Sequence, residues 1–342
     1  MSAGIITMKD VARMAGVSSA TVSLALSGDL RVNEKTRRNV EKVAEKLNYI
    51  PNEIGRSLRS RKTETIALII PNTSHHVFSH PYFSHLLDGI TDVLNRFNYN
   101  LLLSTNPTEK DEEAAYEKVL RNRRADGVII ASAPTKDRNL LRLIESGFPV
   151  VYLGRWFHDD VITVERDDIG GAYMATAHLL KLGRRKIVHF SGPLDHQTGQ
   201  DRLEGYKRAL QDHSVLFNPT LIIEKDFSME EGYKGAAELI DSGRSFDALF
   251  AGNDLMALGA LKLFQEKGIK VPEDVSLVGF DDIDMANMFH PTLTTVHQPM
   301  KQIGIIAAEK LLAVLNGQPD ENKKAILTTE LVIRESCGGF KK

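Results

Sequence analysis

The segment MKDVARMAGVSSATVSLALSG, residues 8–28, indicates the fold at the start of this 342-residue chain. Thr7 followed by Asp10 is typical of a capping box at the beginning of a helix. Gly16 can adopt the left-handed conformation that ends a helix sharply, and Ser18 is a suitable N-cap for the next one. Two short helices joined by a tight turn that contains glycine predict a helix-turn-helix.

A third helix is predicted in RVNEKTRRNVEKVAEKLNYIPN, residues 31–52, between an N-cap at Asn33 and a stop at Pro51. Charge also separates this region from the rest of the chain, whose formal net charge is −2. Residues 1–62 hold 12 Lys and Arg but only six Asp and Glu, so they carry +6 and the remainder carries −8. A basic head on an acidic body indicates a polyanion partner for the head alone.

From Thr65 onward, short apolar runs alternate with amphipathic stretches. The predicted strands are TIALII, YNLLLS, DGVIIA, PVVYLG, KIVHFS, DALFAG and VSLVGF, and the predicted helices include 84–97, 110–122, 170–182, 200–212, 230–241 and 255–267. Continuous apolar strands separated by helices are typical of a parallel sheet covered on both faces. Because about 260 residues of this pattern exceed one ordinary domain, we expect an α/β core of two doubly wound subdomains.

Composition and motifs exclude several classes of protein. A single cysteine, Cys337, rules out a disulfide framework and a multi-cysteine metal cluster. No apolar run reaches the roughly 18 residues of a membrane span, and the N-terminus is charged where a signal peptide is apolar, so we expect a cytoplasmic protein. No GxGxxG follows the first strand, and there is no Walker loop or nucleophile elbow, so we expect neither enzymatic activity nor a cofactor. The histidine-rich segment 72–85 lacks metal-ligand spacing and predicts a loop at the rim of a pocket.

The second helix of a helix-turn-helix enters the major groove with its first residues at the base edges. Ser19 can hydrogen-bond several bases, while Ala20 and Leu24 offer apolar contact, for instance with a thymine methyl. Hydroxyl groups suited to phosphate oxygens belong to Ser18, Thr21 and Ser23. The alternative is a helical hairpin that only packs, but the basic excess favours DNA binding.

Ligands of doubly wound sheets bind beyond the carboxyl ends of the strands. Aromatic rings, guanidinium, carboxylate and amide groups together suit a polyhydroxylated ring. The predicted ligand-binding residues are Tyr82, Phe83, Arg155, Trp156, His196, Thr198, Arg202, Asn253 and Asp281. Several have alternatives: Trp156 could pack in the core, Asp254 is expected to cap a helix, and Asp167 and Asp168 could cap a helix or touch ligand. Asp282 and Asp284 are expected to be exposed.

Both parts of the chain resemble the LacI/GalR family of bacterial transcription regulators. The resemblance is carried by DVA, AGVS, TVS, SG, KTR and NYIPN in the head, and by HPYF, GNDLMALGAL, DVSLVGFDDI and LTTVHQP in the body. It implies a three-helix head, a hinge helix, and a core like type I periplasmic sugar-binding proteins that the chain crosses three times. The implied domains are 1–51 for the head, 52–62 for the hinge helix and linker, 63–164 with 297–326 for one core subdomain, and 165–296 with 327–342 for the other.

The resemblance also implies functional residues. In the core, the positions of Arg202, Asn253 and Asp281 recur as ligand contacts in the family. The implied DNA-binding set extends to Asn33, Thr36 and Arg37 in the third helix, and to Arg56, Leu58 and Arg59 in the hinge. There, Leu58 of two subunits would wedge into the minor groove while the arginines follow the phosphates.

Two positions depart from the family pattern. Gly55 replaces the usual hinge alanine, at a cost of about 0.5–1 kcal/mol in a helix. We therefore hypothesise a hinge whose folding depends more on DNA. Leu24 stands where many members carry arginine, so the family's usual operator is not assumed.

Together these features predict a homodimeric repressor of carbohydrate-utilisation genes, which a sugar inducer releases from a pseudo-palindromic operator. A dimer is expected because the chain ends at GGFKK without a heptad helix for tetramer assembly. Two alternatives stay open. One is a corepressor mechanism with a purine or a phosphorylated signal. The other is a sugar-binding or sugar-modifying protein with an accessory DNA-binding head.

Overall fold

A computed structural model divides the chain into two units, Met1–Thr63 and Glu64–Lys342. The described residues are 6–49, 62–70, 80–105, 116–117, 119, 124–131, 133, 137–156, 161–318 and 322–339. The hinge residues Gly55, Arg56, Leu58 and Arg59 lie outside the described residues, and so does most of the predicted helix 110–122.

The described residues of the first unit form three helices: α1 (Met8–Ala15), α2 (Ser19–Leu26) and α3 (Glu34–Lys46). The Asp10 carboxylate accepts hydrogen bonds from the N–H and the hydroxyl of Thr7, at 3.1 and 2.7 Å. Gly16 ends α1 with φ +68. The side chains of Ser18 and Asn33 cap α2 and α3. The predicted helix starts are therefore confirmed, because each depends on hydrogen bonds within a few residues.

The three helices enclose a small apolar core, built on residues from each of them: Val11, Val22, Ala25, Val40 and Ala44. The predicted end of α3 at Pro51 is wrong. Asn48 takes φ +49, and the N–H of the next residue, Tyr49, bonds back to the Ala44 carbonyl at 2.9 Å. This left-handed C-terminal turn ends the helix at Lys46.

The second unit alternates strands and helices. Its strands are β1 (Thr65–Ile70), β2 (Asn100–Thr105), β3 (Gly127–Ala131), β4 (Val150–Leu153), β5 (Ile162–Arg166), β6 (Ile187–Ser191), β7 (Ile222–Glu224), β8 (Ala248–Ala251), β9 (Ser276–Val278), β10 (Thr295–His297), β11 (Lys324–Leu327) and β12 (Glu330–Val332). Its helices are α4 (Pro81–Arg96), α5 (Arg138–Glu145), α6 (Asp168–Lys181), α7 (Gln197–Asp212), α8 (Met229–Asp241), α9 (Asp254–Glu266) and α10 (Met300–Leu315). All seven predicted strands are present, whereas α5 and α10 had not been predicted.

Two parallel sheets organise this unit. The larger has the strand order β2-β1-β3-β4-β5-β11 and the smaller has β7-β6-β8-β9. In the larger sheet, Ile66 pairs with Leu101 of β2 and with Gly127 of β3. Helices α4 and α10 pack together against the larger sheet, while α6 with α7 and α8 with α9 form pairs beside the smaller one. The α/β architecture expected from the alternation of strands and helices is confirmed.

The chain passes between the sheets more than once. It leaves the larger sheet at the end of β5, returns from the smaller sheet through β10 and α10, and adds β11 to the larger sheet before β12 pairs antiparallel with β10. The predicted domain boundaries stay predictions. None of the described helices is long and apolar enough to cross a membrane.

Candidate functional site

A pocket of about 660 Å³ lies in the second unit, where strand ends meet helix N-termini. Arg166 ends β5 of the larger sheet, whereas Asn253 and Asp281 follow β8 and β9 of the smaller one. The lining residues are His80, Tyr82, Phe83, Arg166, His196, Thr198, Arg202, Asp226, Phe227, Asn253 and Asp281. Both sheets contribute to this pocket.

Arg166, Arg202 and Asp168 form what we call the charged triad. Arg202 is buried and the Arg166 side chain is only 10% exposed, and Asp168 lies between them at the start of α6. One carboxylate oxygen accepts from Arg166 Nε at 2.9 Å, and the other accepts from Arg202 Nε and Nη2 at 2.9 and 2.8 Å. Arg166 Nη1 donates to the Tyr82 hydroxyl at 2.8 Å, and Nη2 donates to Thr198 Oγ1 at 2.7 Å. The triad thereby ties β5 and α4 to α7.

Burial works to lower the pKa of Arg166, but the neighbouring Asp168 carboxylate outweighs it, so the net shift is upward. The guanidinium therefore stays charged.

Asp281 supplies a second carboxylate to the pocket. It is buried, has φ +120, and its Oδ1 lies 3.8 Å from Arg202 Nη1. Gln298 donates a hydrogen bond to the same oxygen. Burial raises the pKa of Asp281 to about 6, against the opposing attraction of Arg202 and Arg166. Because the Gln298 amide donates to it and Arg202 lies nearby, this carboxyl group accepts hydrogen bonds in the pocket.

Asn253, and not Asp254, caps helix α9, which corrects the sequence prediction. Asn253 Oδ1 accepts the Met256 N–H at 2.9 Å. The fully buried Asp254 turns instead to the loop after β9, where it accepts from the Ile283 N–H at 2.9 Å and from the Thr295 hydroxyl. Burial, with the nearby Asp281, raises the pKa of Asp254 well above its ordinary value.

His80 faces Asn253 across the pocket, with Nε2 2.8 Å from Nδ2. Because Asn253 Oδ1 caps α9, its Nδ2 must be the donor in this contact. His80 Nδ1, however, already accepts the Tyr82 N–H at 3.2 Å. A neutral imidazole has a single acceptor nitrogen, so it cannot accept from both groups. One N–H of Asn253 Nδ2 donates to the Phe227 carbonyl at 2.8 Å, so the N–H that faces His80 is the one available to a ligand oxygen.

Aromatic side chains form the apolar part of the pocket. Tyr82 and Phe83 meet edge to face with centroids 5.1 Å apart, and Phe227 lines another wall. The Arg202 guanidinium lies 3.8 Å from the ring centroid of Phe280 and 5.8 Å from that of Phe227. Rings beside donors and acceptors suit a molecule with an apolar face and polar edges.

The structure brings most of the predicted ligand residues together in this pocket: Tyr82, Phe83, His196, Thr198, Arg202, Asn253 and Asp281. Arg155 lines an adjoining pocket of about 330 Å³, where it pairs with Asp201. Trp156 packs against Tyr152, with ring centroids 5.5 Å apart, in a hydrophobic cluster. The core-packing alternative for Trp156 is the one that the structure shows.

Arg166, Asp226 and Phe227 line the pocket but were not predicted. Arg166 ends the strand ITVER, which was not predicted from the sequence. With that strand predicted, Arg166 would have been a candidate, because pocket residues are expected at strand ends. Asp226 and Phe227 follow the short strand β7, whose three residues gave too little pattern to recognise.

Other acidic residues divide between exposed and paired positions. Asp284 is exposed, as expected, but Asp282 is not, because it pairs with Arg334 at 2.6 Å and with His297 at 3.0 Å. Asp167 caps α6 by accepting the Gly170 N–H at 2.8 Å. Among the described residues, no cluster of His, Cys, Asp and Glu could hold a metal ion.

In the head, the predicted DNA-contact residues differ in exposure. Ser18 and Ala20 are exposed, and Ser19, Thr21 and Ser23 are half-buried. Leu24 packs partly against the apolar core, which limits its reach toward a base. The Asn33 side-chain oxygen is used to cap α3, whose half-buried Thr36 supplies the N–H.

Arg37 has a structural role in the head. Its Nη2 donates to the carbonyl of Asp29 at 2.8 Å, with longer contacts of 3.4 Å to those of Gly28 and Val32. Its side chain is only 21% exposed. Arg37 therefore holds the loop between α2 and α3, a contact that its family position did not predict.

Comparison with known proteins matches both units. Residues 7–52 match the family model of bacterial regulatory proteins, lacI family, and residues 63–335 match the model of periplasmic binding proteins and sugar binding domain of LacI family. The transcriptional regulator CelR of Thermobifida fusca is 34% identical over 335 residues, covering 96% of this chain and 98% of CelR. The repressor PurR of Aliivibrio salmonicida is 32% identical over 333 residues, covering 96% and 98%.

Solved structures give the same result. A CelR–cellobiose complex superposes with a TM-score of 0.77 at 33% identity, covering 97% of this chain and 99% of that one. A lac repressor dimer bound to operator and the anti-inducer ONPF superposes with a TM-score of 0.86 at 26% identity, with the same coverage.

A helix-turn-helix head on a two-sheet core with a polar and aromatic pocket defines a class, the ligand-responsive DNA-binding transcription regulators. Within that class, the family models and the full-length relatives place the chain plainly: it belongs to the LacI family of bacterial regulatory proteins.

Proposed function

We propose that this protein is a dimeric cytoplasmic repressor that leaves a pseudo-palindromic operator when a sugar fills the pocket. The observation that carries the proposal is the pocket itself, where Tyr82 and Phe227 present rings beside the donor Asn253 and the acceptor Asp281. Rings stack on the apolar face of a sugar, and paired donors and acceptors fix its hydroxyls. The cellobiose in the related CelR structure supports this ligand class.

Operator binding falls to the head and hinge in this proposal. Ser19 and Ala20 contact base edges from the start of α2, and nearby hydroxyls and Asn33 contact phosphates. Leu58 wedges into the minor groove between Arg56 and Arg59. The related lac repressor was solved as a dimer on operator, which supports two heads reading two half-sites.

The pocket couples the two sheets. Arg166 comes from the larger sheet, while Arg202 and Asn253 come from elements of the smaller one. A ligand that contacts both favours one arrangement of the sheets, and we propose that this arrangement shifts the hinges of the dimer. The carboxylates act as hydrogen-bond acceptors in this scheme, and no reaction is proposed.

Fluorescence anisotropy on a duplex operator, selected from a random pool, tests the proposal. We expect cellobiose, D-glucose or D-ribose to weaken operator binding at least tenfold at saturation. In Asn253→Asp, the cap on α9 is kept but the Nδ2 donor is lost to a ligand and to the Phe227 carbonyl, so we expect the sugar response to fall while operator affinity without sugar stays the same. Operator affinity that no pocket-binding sugar changes would contradict the proposal.

A corepressor mechanism is the second candidate, because PurR repressors are similar to this chain over the same length. The same titration with hypoxanthine and guanine separates the two. A purine that tightens operator binding favours the corepressor, and a sugar that weakens it favours the inducer.

A further inference from the structure

We propose that the effector is an uncharged polyhydroxylated compound, and that the charged triad makes the pocket reject phosphorylated sugars and nucleotides. The inference rests on the proposed function, since it specifies the ligand of the same pocket. Within the described residues, the positive charges at the pocket are those of Arg166 and Arg202. Asp168 and Asp281 balance them, and Asp226 adds one more negative charge at the rim.

In both guanidinium groups, each of the three nitrogens already contacts a protein acceptor. Phosphate recognition by arginine uses two parallel N–H groups on one edge of the guanidinium. In Arg202 the Nε and Nη2 edge is taken by Asp168, and Nη1 donates to the Gly252 carbonyl. In Arg166, Asp168, Tyr82 and Thr198 each receive one of the three nitrogens.

The N-termini of helices α6 and α9 near the pocket are capped by the side chains of Asp167 and Asn253. An anion finds backbone N–H groups and the positive end of the helix dipole at such a terminus. The first turn of α6 also carries the buried carboxylate of Asp168. Helix α7 has no side-chain cap, and the buried Asp201 lies one turn from its start.

The sequence outside the described residues adds no strong cation just before the pocket residues of α4. Segment 71–79, which precedes His80 in the chain, reads PNTSHHVFS and contains neither lysine nor arginine.

The groups that remain for a ligand include acceptors that need donors. His196 Nδ1 lies 2.6 Å from Asp195 Oδ1, so this nitrogen carries the proton and Nε2 is an acceptor. Nε2 is buried and has no hydrogen-bond partner among the described residues. Asp281 is a second acceptor. Hydroxyl groups can donate to both and can still accept from Asn253, whereas an ionised phosphate only accepts and would face Asp281 with like charge.

Matched ligand pairs test this on the full-length protein without DNA. Isothermal titration calorimetry would compare D-glucose with glucose 6-phosphate and D-ribose with ribose 5-phosphate, with cellobiose as a further neutral probe. We expect a neutral sugar to bind at least tenfold more tightly than its phosphate, with an affinity that is the same in 50 and 500 mM NaCl. Equal or tighter binding of a phosphorylated partner would overturn the inference.

Two variants locate the effect. Asp168→Asn removes the charge that balances both arginines, so we expect the preference for the neutral partner to fall about tenfold. Asp226→Asn changes net charge equally, but at the exposed rim, and should lower the preference less than threefold. Equal effects of the two variants would contradict the role of the triad. If Asp168→Asn does not fold, as judged by circular dichroism, the salt comparison on the unmodified protein still decides.

The outcome is separable from that of the proposed function. A neutral sugar that binds without changing operator affinity supports the ligand class and contradicts regulation. A phosphorylated sugar that binds and changes operator affinity supports regulation and contradicts the proposed ligand class.

Discussion

Among single residues, Asp168 is the one that links the two arginines of the charged triad. Its two oxygens receive Arg166 from the larger sheet and Arg202 from α7, so one carboxylate orients both cations. An arginine buried without such a partner would be strongly destabilised. The sequence left open whether Asp168 caps a helix or touches ligand. The structure gives the cap to Asp167, which leaves Asp168 to position the arginines.

His189 gives a prediction about pH. It is fully buried in β6, stacked between Tyr206 and Phe250 with centroids 5.2 and 4.7 Å away. Burial lowers its pKa to about 4, although a hydrogen bond with the Phe250 carbonyl opposes this shift. Below pH about 6.5, His189 is protonated in the unfolded chain but stays neutral in the folded protein until the pH approaches 4. The free energy of unfolding therefore falls as the pH drops toward 4.

His189→Phe keeps an aromatic ring in the stack and removes this proton linkage. Between pH 7 and pH 5 we expect the unmodified protein to lose roughly 2 kcal/mol of unfolding free energy relative to the variant. Urea denaturation of both proteins, at one protein concentration and both pH values, measures the difference. Equal losses in the two proteins would show that His189 does not carry the effect.

At the scale of elements, α4 and α10 approach each other through glycines. A Cβ built on Gly89 would lie 2.0 Å from the Lys301 carbonyl oxygen, and one on Gly304 would lie 2.3 Å from that of Leu86. Backbone atoms cannot move aside as the end of a side chain can, so these glycines set the distance between the two helices.

Gly89→Ala is therefore expected to destabilise the protein by about 1–3 kcal/mol, despite the better helix propensity of alanine. The matched control is Gly235→Ala in α8, where a Cβ would lie 3.0 Å from Lys225 Cε and 3.2 Å from the Phe190 ring, side chains that can shift more than backbone, so we expect a smaller loss of stability. Thermal and urea denaturation measure both. Equal stability of the two variants would contradict the close approach.

At the scale of the whole molecule, the separation of charge along the chain matters more than the total. The head and hinge segment, residues 1–62, carries +6 and the remainder −8. Phosphates attract the first part and repel the second, so we expect contact with DNA to be confined to the head and hinge segment.

Operator affinity is therefore expected to fall steeply with salt, by on the order of 10³-fold between 50 and 200 mM. An Arg37 variant extends this measurement, because the salt dependence distinguishes a structural role of Arg37 from a phosphate contact. Because its guanidinium is bound to loop carbonyls, we expect Arg37→Ala to lower head stability and operator affinity but to leave the slope of log affinity against log salt unchanged. Loss of a phosphate contact would reduce that slope by about one.

Arg38→Ala is the control for this measurement. Arg38 is exposed on the same helix and pairs only with Glu34 among the contacts of its side chain in the described head, so its loss should barely affect head stability. A reduced slope in Arg37→Ala would show that Arg37 contacts phosphate after all.

The sequence by itself determined the helices of the head, the strands of the core and the region of the pocket. Capping by Thr7, Ser18 and Asn33 involves partners three residues away, so local sequence is sufficient. Parallel strands place their carboxyl ends at one edge, so strand ends such as Asn253 and Asp281 could be predicted as pocket residues.

The pairing of polar groups that are distant in sequence could be seen only in the tertiary structure. Arg202 lies 34 residues from Asp168, and the Asp282 that was expected to be exposed is bound by Arg334, 52 residues away. Arg37 was likewise expected to contact DNA, but its guanidinium donates to the loop carbonyl of Asp29. A long side chain can reach several partners, and the choice depends on burial and distances that the whole fold sets, because a buried polar group must be satisfied by whatever lies within reach.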